Sequence, residues 1–310
     1  MRVAVIGIGS NSVRMLEAEV QEGSFRRIAR DRAGTRLFAG LDAEGNLSRE
    51  SMEKTISAVS AMAKTAREHG CRQIHLFATS ASRDAKNGEA FLQMLREATG
   101  LELEILSGEE EAALSFLGAS DIAAPGKTCG IIDIGGGSTE IVLGRDGEIV
   151  RAVSCQMGAV RLYRVMPIEK AADMGPVRAA AADILEKTWG DEPAGAESWI
   201  GTGGTFTALA ALIRGVPWTD REGMNGTWIR KEDVQRIGEK LADLSLAERL
   251  RLESLQPGRA DIVVHGICIL LAVMDRMGIE RLQVSEYGNL DGYIRKHYRQ
   301  RVRRDSRVNP

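Results

Sequence analysis

Two short segments of this 310-residue sequence carry the residue types that hold phosphate. Ile6 to Ser12 reads I-G-I-G-S-N-S and aligns without gaps with Ile132 to Ser138, I-D-I-G-G-G-S. Each ends a strand-like run in a turn rich in glycine and hydroxyls, and such a turn presents successive backbone N–H groups as a nest for an anion. Either turn alone reads better as an ordinary hairpin turn; two of them at a domain-sized separation favour phosphate. The ligands would be Gly9, Ser10, Asn11 and Ser12 in the first turn, and Gly135, Gly136, Gly137, Ser138 and Thr139 in the second. Asp133 and Glu140 flank the second turn, where carboxylates can hold Mg²⁺ through water; the plainer reading is a turn aspartate and an outward strand glutamate. An acidic triplet, Glu109 to Glu111, opens a helical stretch behind Ser107, and by spacing alone it complements the positive end of the helix dipole.

These groups need a scaffold, and the rhythm of the chain supplies an α/β one. Strand-like Val3 to Ile8, helical Ser51 to His69, strand-like Gln73 to Ala78, helical Glu89 to Thr99, strand-like Leu101 to Leu106 and helical Glu109 to Gly118 follow one another. Ala123 to Lys127 breaks the pattern and marks a boundary. A second α/β set follows: strands at Thr128 to Asp133 and Glu140 to Leu143, a helix at Met174 to Lys187, and a strand approaching Gly201. Helices at Lys231 to Leu244 and Arg259 to Met277 and a strand at Leu282 to Ser285 complete it. The reading gives one domain over 1–122, to which 286–310 can return, and a second over 123–285.

With 44% hydrophobic and 27% charged residues and a formal net charge of −2, the composition is that of a globular protein and advertises neither nucleic acid nor membrane as a partner. Cys71, Cys129, Cys155 and Cys268 lack any metal-site or disulfide spacing and read as core residues. No stretch resembles a signal peptide or a membrane span, which points to the cytoplasm. Arg295, Lys296, Arg299, Arg301, Arg303, Arg304 and Arg307 form a basic tail that suits a polyanion or is simply solvated.

Six motifs in order, G-S-N-S-V-R from Gly9, A-T-S-A-S-R-D-A-K-N-G from Ala78, S-G-E-E-E-A from Ser107, D-I-G-G-G-S-T-E from Asp133, G-T-G-G-T from Gly201 and R-A-D from Arg259, resemble the exopolyphosphatase and guanosine pentaphosphate phosphohydrolase (Ppx/GppA) family. The resemblance runs nearly end to end. It implies two ribonuclease-H-like, actin-like domains with an active-site cleft between them. It makes Glu111 the catalytic base, adds Arg83 and Glu140 to the catalytic set and Arg14 to the phosphate ligands, and assigns metal to Asp133 and Glu140. Gly203, Gly204 and Thr205 match the superfamily's adenosine-binding loop, although a glycine-rich strand-to-helix link reads the same way. The implied reaction is release of terminal orthophosphate from inorganic polyphosphate, with guanosine pentaphosphate as the alternative substrate, Mg²⁺ as cofactor and a homodimer as an assembly the family often forms.

The sequence also departs from that pattern. Gly7 stands where the family has aspartate, Ala113 where an arginine follows the catalytic glutamate, Asn225 where a histidine-glycine pair is usual, and Asn289-Leu290-Asp291 where leucine-arginine-glutamate is usual. The departures imply weaker metal binding, altered specificity, or a binding sensor that has lost turnover.

Overall fold

A computed structural model describes residues 1–21, 24–192 and 195–298. The chain divides into two compact units, Met1–Gly118 with Asn289–Pro310, and Ala119–Gly288.

The first unit is built on β1 (Arg2–Ile8), β2 (Val13–Gln21), β3 (Ser24–Ala33), α1 (Arg49–Glu68), β4 (Gln73–Ala78), α2 (Ser80–Asp84), α3 (Gly88–Thr99), β5 (Leu103–Ile105) and α4 (Gly108–Ala119). The second holds β6 (Thr128–Ile134), β7 (Thr139–Arg145), β8 (Glu148–Cys155), α5 (Ala159–Val165), α6 (Met174–Trp189), β9 (Ser198–Thr202), α7 (Gly204–Arg214) and α8 (Arg221–Met224). It continues through β10 (Trp228–Arg230), α9 (Lys231–Asp243), α10 (Leu246–Arg249), α11 (Val263–Met277) and β11 (Arg281–Val284). The chain then returns to the first unit as α12 (Asn289–Tyr298).

The first sheet runs β3-β2-β1-β4-β5 and the second β10-β11-β9-β6-β7-β8. In both, an antiparallel three-strand meander (β1 to β3, β6 to β8) is extended by parallel strands (β4 and β5, β9 and β11). The repeated turn motifs are therefore the outward sign of a repeated ribonuclease-H-like topology. Central position explains the sequence of β1: Val3 to Ile8 is buried throughout because helices cover both faces of the sheet. On one face lies α1, started by Ser48, whose side chain accepts the Ser51 N–H, and burying Met52, Ile56, Val59, Met62 and Ala66 at helical spacing. On the other face, Leu290, Tyr293, Ile294 and Tyr298 of α12 join Val3, Val5, Leu16 and Ala18 in one apolar cluster. In the second unit α11 is buried at every residue from Val263 to Met274, so its uniformly apolar sequence is core.

Several elements differ from the sequence reading. The edge strands β3 and β8 were not expected, because their arginines and exposed residues hide the alternation that marks a half-buried strand. The expected helix from Arg259 begins instead as a 3₁₀ turn at Pro257–Arg259, and the α-helix starts at Val263. Cys71 is half-buried rather than a core residue, while Cys129, Cys155 and Cys268 are buried. Of the basic tail, Arg295 and Lys296 belong to α12, and Arg299, Arg301, Arg303, Arg304 and Arg307 lie outside the described residues. Among the described residues no helix is long and apolar enough to cross a membrane.

Candidate active site

The two glycine turns have the same construction. In the first, the Gly9 N–H donates to the Ser12 carbonyl at 3.1 Å; in the second, the Gly135 N–H donates to that of Ser138 at 3.0 Å. A Cβ at either glycine would press on the same carbonyl, at 3.2 and 3.0 Å, so a side chain is disfavoured at both. Each turn is also held from behind through its carbonyls. The Ser10 and Asn11 carbonyls accept from the N–H groups of Phe38 and Arg36. In the second turn, the Gly135 carbonyl accepts from Ala159 N–H, that of Gly136 from Val160 and Arg161 N–H, and that of Gly137 from Arg161 Nε at 2.7 Å. A trans peptide points its N–H opposite to its C=O. Tying down these carbonyls therefore aims the amides of Asn11 and Ser12, and of Gly136, Gly137 and Ser138, away from the buttress, which is the arrangement an anion nest needs.

In the first unit the acidic triplet divides into three roles. Glu109 is exposed. Glu110 is a cap: its Oε2 accepts the Ser107 N–H at 2.8 Å while Ser107 Oγ accepts the Glu110 N–H at 3.1 Å. Glu111 is only 6% exposed, and its Oε2 lies 3.6 Å from Nη1 of Arg83. Nη1 of Arg83 also donates to the Leu106 carbonyl at 2.7 Å, which fixes the guanidinium. Its Nη2 is buried with no hydrogen-bond partner among the described residues, and so is the neighbouring Ser82 Oγ. Ser10 Oγ lies 2.8 Å from Ser80 Oγ, joining the first turn to the start of α2, the helix that carries Arg83. Arg14, at the head of β2, donates from Nη2 to Asn289 Oδ1 at 3.0 Å.

In the second unit Asp133 and Glu140 are direct partners across β6 and β7, so their side chains leave the same face of the sheet. Glu140 is 1% exposed, which removes the reading of an outward strand residue, and Ser154 Oγ donates to its Oε1 at 2.8 Å. The loop after β9 adjoins Asp133: Gly203 has φ +92°, and a Cβ there would lie 2.7 Å from Asp133 Oδ1. Gly204 lies under the Arg259 guanidinium at the rim of a small pocket shared with Trp218, Arg221 and Gln256. Thr205 instead packs against Gly266 of α11, and Thr139 Oγ1 is bonded to the Met157 carbonyl at 2.6 Å. Ser138 Oγ is buried with no hydrogen-bond partner among the described residues.

The implied Mg²⁺ can be tested against these groups. No cluster of three or more His, Cys, Asp or Glu residues capable of caging a metal occurs among the described residues. Asp133 and Glu140, paired on one face, fit a cation held by two carboxylates and completed by water or substrate oxygens, the usual Mg²⁺ arrangement.

Sequence reasoning missed the supports of this site. Ser154 orients Glu140, Ser80 ties the first turn to α2, and Arg161 grips the second turn. Gly158 is required because a Cβ there would fall 2.4 Å from the backbone of Gly136. The one available signal was the glycine before a helical stretch in C-Q-M-G-A-V.

Fold and turns together describe an α/β protein with a duplicated glycine-rich hairpin turn. The sequence profile of the Ppx/GppA phosphatase family matches residues 18–299, and the chain belongs to that family. Exopolyphosphatase 2 of Mycobacterium tuberculosis is 33% identical over 312 residues, covering 94% of this chain and 97% of the relative. Among solved structures, an exopolyphosphatase-like protein aligns at TM-score 0.89 and 28% identity over 97% of this chain and 100% of its own. The Ppx/GppA enzyme of Aquifex aeolicus aligns at TM-score 0.80 and 28% identity, covering 96% and 99%.

Proposed function

We propose that the protein hydrolyses the terminal phosphoanhydride bond of inorganic polyphosphate, a reading supported by family membership and by exopolyphosphatases at about 30% identity over nearly the whole chain. The observation that carries it is the Glu111–Arg83 pair with a guanidinium nitrogen left over. A buried donor without a partner costs about 1–3 kcal/mol, more for a charged group, and an incoming phosphate oxygen removes that penalty.

In this reading Glu111 orients a water molecule and accepts its proton as the water oxygen attacks the terminal phosphorus. The bond from that phosphorus to the bridging oxygen breaks, releasing orthophosphate and a chain one phosphate shorter. Arg83 and the amides of the first turn stabilise charge on the transferred phosphoryl group. Ser138 Oγ and the amides of the second turn hold phosphate oxygens. A divalent cation held by Asp133 and Glu140 would supply further charge neutralisation.

The test is orthophosphate release from long-chain polyphosphate and from guanosine pentaphosphate, with and without Mg²⁺, by the native protein and Glu111→Gln. Release that falls at least about 10²-fold in the variant supports the role of Glu111. Equal release by both proteins would falsify it, and a preference for guanosine pentaphosphate would replace the substrate.

A further inference from the structure

The loop that leaves β9 joins the second turn to a pocket that takes no part in the chemistry above. Gly203 adjoins Asp133, and one residue further on Gly204 opens α7. Beyond Gly204 the pocket is walled by Ala208, Trp218 and Met224, with Arg221 and Gln256 as polar members. Apolar and aromatic walls carrying a few polar groups suit a flat heteroaromatic ring. A nucleotide with its phosphates on the second turn would bring such a ring here as its base.

Arg259 already fills that space. A Cβ on Gly204 would overlap Cζ, Nη2 and Nε of Arg259 at once, so the guanidinium lies face-on against the bare backbone of the loop. What remains is about 10 Å³, room for about one water molecule and none for a base. A short, rigid turn presents the arginine. Pro257 starts it, the Arg259 N–H donates to the Gln256 carbonyl at 2.9 Å, and the next residue, Ala260, is buried with its carbonyl accepting from Arg249 Nη1 at 3.0 Å. A cation at the positive end of a helix does not stabilise that helix, so α7 gives no reason for Arg259 to stand there.

We propose that Arg259 is a specificity-determining residue: it closes this pocket to the base of a nucleotide, so that the protein takes bare phosphate chains in preference to nucleoside-capped ones. The proposal rests on the functional reading above and names a feature that sets polyphosphate ahead of guanosine pentaphosphate. Gly204 is part of the device, since any side chain there would displace the guanidinium. The exclusion is steric, a clash built against the wrong ligand. The charge of Arg259 attracts phosphates of either kind, so its loss by electrostatics alone would weaken both ligands. A gain by the nucleotide on truncation therefore reports the plug and not the charge.

The experiment measures binding of tripolyphosphate and of GTP, which carry the same number of phosphates, to the native protein and to Arg259→Ala, Arg259→Ser and Arg259→Met. The native protein should bind tripolyphosphate at least about tenfold more tightly than GTP. Arg259→Ala and Arg259→Ser, which empty the space, should each raise GTP affinity at least about tenfold. Their affinity for tripolyphosphate should change by less than about threefold, which also shows that they are folded. Arg259→Met, which removes the charge but refills the space, should keep GTP excluded. Native protein that binds the two ligands equally overturns the plug. An equal gain for GTP in Arg259→Met does so too, because charge and not bulk would then be the cause. Orthophosphate release from long-chain polyphosphate is followed in parallel. Release by the native protein alongside unchanged GTP affinity in Arg259→Ala and Arg259→Ser overturns the plug alone, whereas native protein that neither binds tripolyphosphate nor cleaves long chains overturns the functional reading with it.

Discussion

Leu290 occupies the space that a side chain at position 7 would need: a Cβ on Gly7 would lie 3.0 Å from Leu290 Cδ2 and 3.0 Å from Phe77 Cζ. Gly7 and Arg14 are partners across β1 and β2, in the same register as Asp133 and Glu140 across β6 and β7. Where the second unit pairs two carboxylates, the first pairs a glycine with an arginine over an apolar plug. Gly7→Asp should therefore cost about 2–4 kcal/mol, from crowding and a desolvated carboxylate, and lower the Tm by several degrees. Adding Leu290→Arg to that variant should raise the Tm again, because it removes the obstructing methyls and supplies a counter-charge. Thermal melts of the native protein, Gly7→Asp and the double variant decide the matter, and a double variant no more stable than Gly7→Asp alone would show that Leu290 is not the obstruction.

Cation binding should depend on Asp133. With Mn²⁺ as a paramagnetic probe, Asp133→Asn should weaken binding by about 10–100-fold in electron paramagnetic resonance titrations, while Glu109→Gln, which alters an exposed carboxylate, leaves it unchanged. Unaltered Mn²⁺ affinity in Asp133→Asn would move the cation elsewhere.

Gly158→Ala tests the buttress of the second turn. The added methyl meets the Gly136 backbone, which cannot step aside as a flexible side chain can. A stability loss of about 1–3 kcal/mol should accompany at least a tenfold fall in orthophosphate release. Chemical denaturation and a release assay measure the two effects.

His265 makes stability depend on pH. Its imidazole is buried, with Nε2 2.8 Å from the Met166 carbonyl oxygen. Burial depresses its pKa below the ordinary histidine value; Arg249 adds to that effect, while the Met166 hydrogen bond and Asp261 oppose it. Below about pH 6.5 the unfolded chain takes up a proton that the folded protein refuses, so stability is lost as pH falls through that window and is complete above it. Unfolding free energies at pH 7.5 and 5.5 should differ less in His265→Gln than in the native protein. An identical pH dependence in the two would remove His265 as its source.

The turns, the acidic triplet and the parallel core strands were legible because each is written locally: glycines at a strand end, carboxylates at a helix start, unbroken apolar runs. The roles of Glu109, Glu110 and Glu111 were not, since three identical residues acquire different tasks only when α4 fixes which one faces Arg83 and which one caps. Ser154, Gly158 and Arg161 escaped for a similar reason, as they act on residues 14 to 24 positions away through strand pairing and helix docking. The arginines of β3 concealed a strand, and the bulge that gathers three of them on one face has no signature in their order.

The return of α12 to the first unit sets an order of assembly during synthesis. All residues of the second unit leave the ribosome before the helix that roofs β1 and β2, and α12 must then seat closely enough that Gly292 meets the Leu114 carbonyl with no room for a side chain. The half that carries Glu111 and Arg83 is thus completed only after the second unit has been synthesised. A nascent chain stalled before α12 has emerged holds a second sheet with all of its residues and a first sheet whose apolar face is open to chaperones or to aggregation.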